Sequence, residues 1–130
     1  LIYGGTGGRM DHTMANWQLL SNMASKGLHG YLIGSGYAAA VLCNERLCLA
    51  AMPQGIISVF CMGDAAKGVS IAGLKYCVEN VTLTGDVPLG VSNAFIGHEA
   101  MIEVKEGRLL VMWENRMLPL KKMIAFRQKM

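Results

Sequence analysis

The spacing of apolar residues changes near residue 30. Ahead of that point, the apolar stretch Leu1-Ile2-Tyr3 runs into the loop Gly4-Gly5-Thr6-Gly7-Gly8. Met14, Trp17, Leu20 and Ala24 then recur at helical spacing, and Ala15, Leu19 and Met23 widen the apolar face. The pattern predicts strand, loop, helix. Asp11 is the N-cap candidate, because its carboxylate can accept the free amide hydrogens of a first turn. Gly27 supplies the stop. From Gly30 onward, short apolar runs alternate with turn residues: Gly34-Ser35-Gly36, Asn44-Glu45, Pro53-Gln54-Gly55, Gly63-Asp64, Glu79-Asn80, Gly85-Asp86, Gly97-His98 and Glu106-Gly107. A spacing of about 8–12 residues predicts antiparallel strands in a sandwich or barrel. Hairpins are expected around Asn44-Glu45 and Glu106-Gly107. A terminal helix is expected from Pro119, carrying Leu120, Met123, Ile124 and Phe126.

The expected architecture is mostly β. Residues 1–29 read as the last strand–loop–helix unit of an α/β nucleotide domain, residues 30–113 as an antiparallel β-sandwich, and residues 114–130 as a basic tail. One strand and one helix cannot close a core of their own. Because the chain opens at Leu1 in a strand-like stretch, the expectation is that it continues an α/β domain begun upstream.

Composition supports a folded domain. Of 130 residues, 52% are hydrophobic and 16% charged, a balance unlike that of disordered chains. No apolar run reaches the roughly 18 residues of a membrane span, and no signal-peptide pattern is present. The formal charge of +3 belongs to the tail: residues 1–113 carry a net −1 and residues 114–130 a net +4. A nucleic-acid binder needs a basic face on its folded body, so no nucleic-acid partner is expected. Cys43, Cys48, Cys61 and Cys77 contain no C-x-x-C pair, which argues against zinc. They read as buried free thiols of a cytoplasmic protein.

The glycine loop is the main candidate for chemistry. A dinucleotide fingerprint would need an acidic residue ending the next strand, yet no Asp or Glu occurs between Asp11 and Glu45. A Walker loop would need Lys-Ser/Thr after the glycines. Two glycine pairs followed by Arg9, Asp11 and His12 exceed the needs of a turn. A guanidinium grips phosphate oxygens in pairs, and exposed amides at a helix start favour an anion. The alternative is a tight turn with Arg9 and Asp11 as a surface pair.

The segment "GGTGGRMDHTMAN", Gly4 to Asn16, resembles the G-G-R-x-D-H-x-x-x-N segment of thiamine pyrophosphokinases. Two further segments agree in order. "GVSIAGLKYCV", Gly68 to Val78, resembles the family's G-x-x-x-x-G-L-K-Y/W-x-L, with Val78 for the usual Leu. "GVSN", Gly90 to Asn93, resembles its G-V/T-S-N, followed here by Ala94 in place of a frequent acidic residue. The resemblance covers roughly residues 1–113. It implies an α/β nucleotide domain joined to a thiamine-binding sandwich, in homodimers whose active sites lie between subunits. It also implies transfer of a pyrophosphoryl group from ATP, with Mg²⁺, to thiamine, giving thiamine diphosphate and AMP.

By this resemblance Arg9, Asp11 and His12 are the catalytic candidates, Gly7, Gly8 and Arg9 the nucleotide-binding candidates, and Tyr76, Ser92 and Asn93 the thiamine-binding candidates. An aromatic face suits both the thiazolium cation and the aminopyrimidine, and a serine hydroxyl can donate to and accept from the pyrimidine. No metal ligand is assigned here. The family's acidic G-D-x-D-S segment has no counterpart among Asp11, Asp64 and Asp86, so the Mg²⁺ ligands are expected mainly in the N-terminal half of the enzyme. The chain alone is therefore expected to be inactive. The alternatives are a non-catalytic thiamine-binding or dimerisation module and a nucleotide-binding regulatory fragment.

Overall fold

The computed structural model describes residues 2–3, 10–115 and 119–130. Strand β1 (Ile2–Tyr3) leads to helix α1 (Met10–Ser25), and β2 (Leu32–Gly34) returns parallel to β1. The helix ends as its glycine predicts. Gly27 has φ of 79°, its N–H bonds Ala24 O at 3.0 Å, and the N–H of Leu28 bonds Met23 O at 2.9 Å. Those are the paired bonds of a Schellman ending. The helix starts at Met10, so Asp11 lies in the first turn instead of capping it. There its charge still meets the positive end of the helix dipole. The buried stripe is narrower than the periodicity predicts. Leu20 and Ala24 are buried with Thr13 and Ser21, while Met14 and Leu19 are exposed. Among the described residues the helix packs chiefly on the strand that follows β2.

The remaining elements are β3 (Tyr37–Cys43), β4 (Glu45–Leu49), β5 (Ile56–Ala72), β6 (Val78–Thr84), β7 (Gly90–Ala94), β8 (Ala100–Glu103), β9 (Glu106–Glu114), α2 (Leu120–Met123) and β10 (Ile124–Lys129). The ten strands form one sheet, antiparallel except for β1–β2. Its spine is β5. The first half of β5 pairs with β9 and β7, and the second half with β8 and β6. Gly63-Asp64, expected as a turn, lies inside this strand. Gly63 has φ of 91° and the register to β9 slips between Met62 and Lys67, so the glycine bends a continuous strand.

The bend curls the sheet into two facing leaves, the sandwich that the alternation predicts. Leu42, Ile57, Val59, Val111 and Trp113 of one leaf pack with Leu47, Leu49, Val69, Ile71 and Ile102 of the other. The first leaf is also covered outside, where Leu20 and Ala24 of α1 meet Ala39, Val41 and Leu110. This second cover explains why β3 is apolar on both faces. The strand–helix unit and the sandwich thus share a packed face.

The two expected hairpins are arches. β3 pairs with β2 and β9, whereas β4 pairs with β8 and β10. β8 and β9 likewise belong to different leaves. Turn residues reverse the chain in either case, and the pairing partner is chosen by the core. The arches pin each other: Asn44 N–H donates to Gly107 O at 3.2 Å, and Gly107 N–H to Asn44 Oδ1 at 2.9 Å.

The tail also differs from expectation. Among the described residues of the tail only Leu120–Met123 are helical, and Ile124–Lys129 form a strand on the otherwise open edge of β4. Ladder hydrogen bonds there outweigh the local helical spacing. Most side chains of this strand are exposed, but Arg127 reaches inward. Glu45 is fully buried. Its Oε2 accepts from Arg127 Nε at 2.9 Å, its Oε1 accepts from Cys43 N–H at 3.1 Å, and His29 Nε2 lies 3.0 Å from Oε2. Arg127 also donates to Val41 O at 2.7 Å and lies over the Tyr31 ring. Burial pushes the Glu45 carboxyl up, but the Arg127 guanidinium, the Cys43 amide and the nearby positive charge pull it below the usual range. The cysteines are free, as expected, but less buried: Cys43, Cys48 and Cys61 are half-buried and Cys77 is exposed.

Candidate functional site

The second motif spans the end of β5, the β5–β6 loop and the first residue of β6. Gly73 has φ of 75°, and a Cβ there would run into the carbonyl of Glu99. Leu74 is buried and bridges to Phe95, which anchors the loop. Tyr76 lies in this loop, not in a strand as the alternation suggested, and is 61% exposed. The Nζ of Lys75 sits 5.3 Å from its ring centroid, so the ring face already attracts a cation.

The third motif is most of β7. A Cβ at Gly90 would meet the backbone oxygen of Val59, which explains the glycine as a close approach of two strands. Opposite Ser58 the register slips, and Ser92 takes φ of 61°. Its N–H donates to Ser58 Oγ at 2.9 Å. Asn93 is buried, and its amide acts as a piece of backbone. Oδ1 accepts from Tyr76 N–H and from Ala94 N–H, both at 2.9 Å, and Nδ2 donates to Tyr76 O at 2.7 Å.

Tyr76 and Asn93 therefore come together, with Ser92 next to Asn93 in β7. β6 and β7 both lie along the side of β5 that β8 and β9 leave open. Beside them is a cavity of about 150 Å³ lined by Ile71, Tyr76, Val81, Leu83, Leu89 and Asn93. Pockets that hold a whole small ligand usually run from about 300 Å³ upward, so this one has room for a single ring.

The other candidates sit elsewhere. Gly7, Gly8 and Arg9 lie outside the described residues. Asp11 and His12 are exposed at the start of α1, and the His12 N–H donates to Asp11 Oδ1 at 2.9 Å. The first leaf runs β1-β2-β3-β9-β5-β7. β1, which leads into the glycine loop, and β7, which carries Ser92, are its opposite edges, roughly 24 Å apart along the sheet. Within one chain, β1 and β7 thus stand apart.

Among the described residues no three His, Cys, Asp or Glu side chains are grouped to hold a metal. Asp64 and Asp86 line one surface depression with Gly63, Thr84 and Gly85, an exposed pair with no third ligand. Among the described residues no helix is long and apolar enough to cross a membrane. Sequence reasoning missed Ser58, whose only signal is one hydroxyl inside the apolar run "IISVF".

Residues 50–109 match the family described as thiamin pyrophosphokinase, vitamin B1 binding domain. No curated protein sequence matches the chain. Among solved structures, the fold resembles thiamine pyrophosphokinase from Bacillus subtilis, with TM-score 0.77 and 22% identity over 87% of this chain and 54% of that one. It resembles thiamin pyrophosphokinase from Geobacillus thermodenitrificans at TM-score 0.75 and 21% identity, over 88% of this chain and 53% of that one. For thiamin pyrophosphokinase from Candida albicans the TM-score is 0.72 and the identity 15%, over 87% of this chain and 43% of that one. The chain thus spans about half the length of the first two. Residues 50–109, just under half of the chain, thus match the vitamin B1 binding domain of thiamin pyrophosphokinases, and the fold around them is the one seen in those structures.

Proposed function

We propose that the chain is the thiamine-binding part of an ATP:thiamine pyrophosphotransferase. The observation that carries this reading is the hydrogen bonding of Asn93 to Tyr76 at one open edge, with Ser92 beside Asn93, within the segment that matches a vitamin B1 binding domain. Thiamine stacks one ring on Tyr76, and Ser92 bonds the aminopyrimidine. In the reaction the thiamine hydroxyl oxygen bonds the β-phosphorus of ATP. The bond from that phosphorus to the α–β bridging oxygen breaks, AMP leaves, and the hydroxyl proton passes to solvent or a base. Arg9 offsets phosphate charge as it develops, and Asp11 and His12 order the loop around it. Magnesium supplies further charge neutralisation, held mainly by residues outside this chain.

Because the glycine-loop edge and the Ser92 edge are separated within one chain, the working unit is a homodimer in which each site takes one edge from each subunit. Residues 1–130 alone bind thiamine without turning it over, since magnesium with bound phosphates usually needs one or two carboxylates in place. Robust AMP release from this chain with ATP, Mg²⁺ and thiamine would contradict that.

Calorimetric titration tests the binding reading. Tyr76→Ala weakens thiamine binding by roughly 1–2 kcal/mol through lost stacking and cation–π attraction, and Tyr76→Trp retains it. Normal binding by Tyr76→Ala would move the thiamine site elsewhere. A non-catalytic thiamine-binding module is the second reading, favoured by the lack of a carboxylate cluster among the described residues. Absence of turnover in the intact protein, with thiamine binding retained, would select it.

A further inference from the structure

We infer that Ser58 is a positioning residue for Ser92, an inference that rests on the thiamine-binding reading above. Ser58 lies in β5, ten residues before the nearest family motif, and nothing in that resemblance singles it out. Its neighbours Ile57 and Val59 turn into the core. Alternation therefore turns Ser58 to the outer face, where it lines an apolar groove of about 330 Å³ with Tyr37, Ile56, Phe60 and Met112. A hydroxyl in such a wall calls for a hydrogen-bond partner. It has one in Ser92 N–H, at 2.9 Å.

That bond sits where the strand pairing fails. Asn93 is opposite Ile57 and Gly90 opposite Val59, so two residues, Val91 and Ser92, face Ser58 alone. This is a bulge, a device that re-aims a side chain. The bulge requires the left-handed conformation of Ser92, φ 61°, which a residue with a Cβ adopts only when its surroundings hold it. The adjacent residues are fixed from other sides: Gly90 by close contact with Val59, and Asn93 by its bonds to Tyr76. Ser92 has no register partner across the bulge, and the Ser58 hydroxyl accepts its N–H. Ser58 thereby sets the direction of the Ser92 hydroxyl while remaining one strand away from the ligand edge.

The test is a double-mutant cycle on the intact protein, read by thiamine titration and by hydrogen exchange of the Ser92 amide. Ser58→Ala weakens thiamine binding roughly three- to tenfold, the effect of one neutral hydrogen bond, and speeds exchange at Ser92. Ser58→Thr keeps the hydroxyl and restores both. Adding Ser58→Ala to Ser92→Ala causes no further loss of affinity, because the route through Ser92 is already gone. If Ser92→Ala weakens binding and Ser58→Ala does not, or if the two losses add fully, the assignment of Ser58 is overturned while thiamine binding stands. If the unaltered protein does not bind thiamine, or Ser92→Ala binds it normally, the functional reading fails and this inference fails with it. A melt on each variant separates loss of affinity from loss of fold.

Discussion

Asn93 shows how one buried side chain can organise an exposed site. Its amide satisfies the backbone of Tyr76 in both directions and also holds Ala94 N–H. Replacing it with alanine leaves those groups without partners in a region that excludes water. Asn93→Ala is expected to cost about 1–3 kcal/mol of stability in urea denaturation, and to loosen the Tyr76 loop. Asn93→Asp retains the acceptor and loses the donor to Tyr76 O, so it falls between the two. The three family motifs were legible in the sequence because they are contiguous strings. The division of work within them was not. Ser92 is exposed and Asn93 buried, although they are neighbours and both polar, as alternation dictates, whereas the bulge leaves Val91 and Ser92 both exposed.

At the scale of elements, β10 is held by a charge pair more than by apolar area. Glu45 and Arg127 side chains are 0% and 3% exposed. Removing one partner strands the other charge, so Arg127→Met is expected to destabilise by about 3–5 kcal/mol, measured by chemical denaturation. Glu45→Leu combined with Arg127→Met recovers most of that loss, since no charge then remains buried.

The pH dependence follows from the same pair. The Glu45 carboxyl lies below its ordinary 4.5 in the fold, so its contribution is complete above that value and is lost as pH falls through the folded pKa. Burial, with help from the Arg127 charge, lowers His29 below 6.5, so its neutral form is favoured and that contribution fades as pH drops from 6.5. Both act in one direction. Melting temperature should decline below pH 6.5 and more steeply below pH 4.5, and Arg127→Met should lose the steeper part, because burial is then no longer offset by the guanidinium and protonation relieves the stranded Glu45 charge. An unchanged acid limb in that variant would show that the pair does not govern acid stability.

For the whole molecule, the distance between the two candidate edges makes a complementation experiment decisive. In the proposed homodimer, Arg9→Ala damages one edge of each site and Tyr76→Ala the other. Co-expressing the two variants in the intact enzyme should yield mixed dimers with one undamaged site. Activity should then recover to about a quarter of the unaltered level, given random assembly of a two-fold dimer. A site contained within one chain would show no recovery.

Local chemistry in the sequence determined the strand-rich class, the Gly27 stop, the positions of most turns and the three motif strings. Apolar alternation and glycine placement are properties of neighbouring residues, and they survive any tertiary arrangement. Pairing does not have that character. The turns at Asn44 and at Gly107 look like hairpins in isolation, and only the two-leaf core makes them arches, because each flanking strand has a larger apolar surface to cover on its own leaf. Gly63 became a bend because β9 pairs with β5 on both sides of it. The tail became a strand because the edge of β4 offered hydrogen bonds that a short exposed helix could not match. The joining of Tyr76 with Asn93, the brace at Ser58 and the buried pair of Glu45 with Arg127 all link residues far apart in the chain. Only the closed sheet brings them within reach of one another.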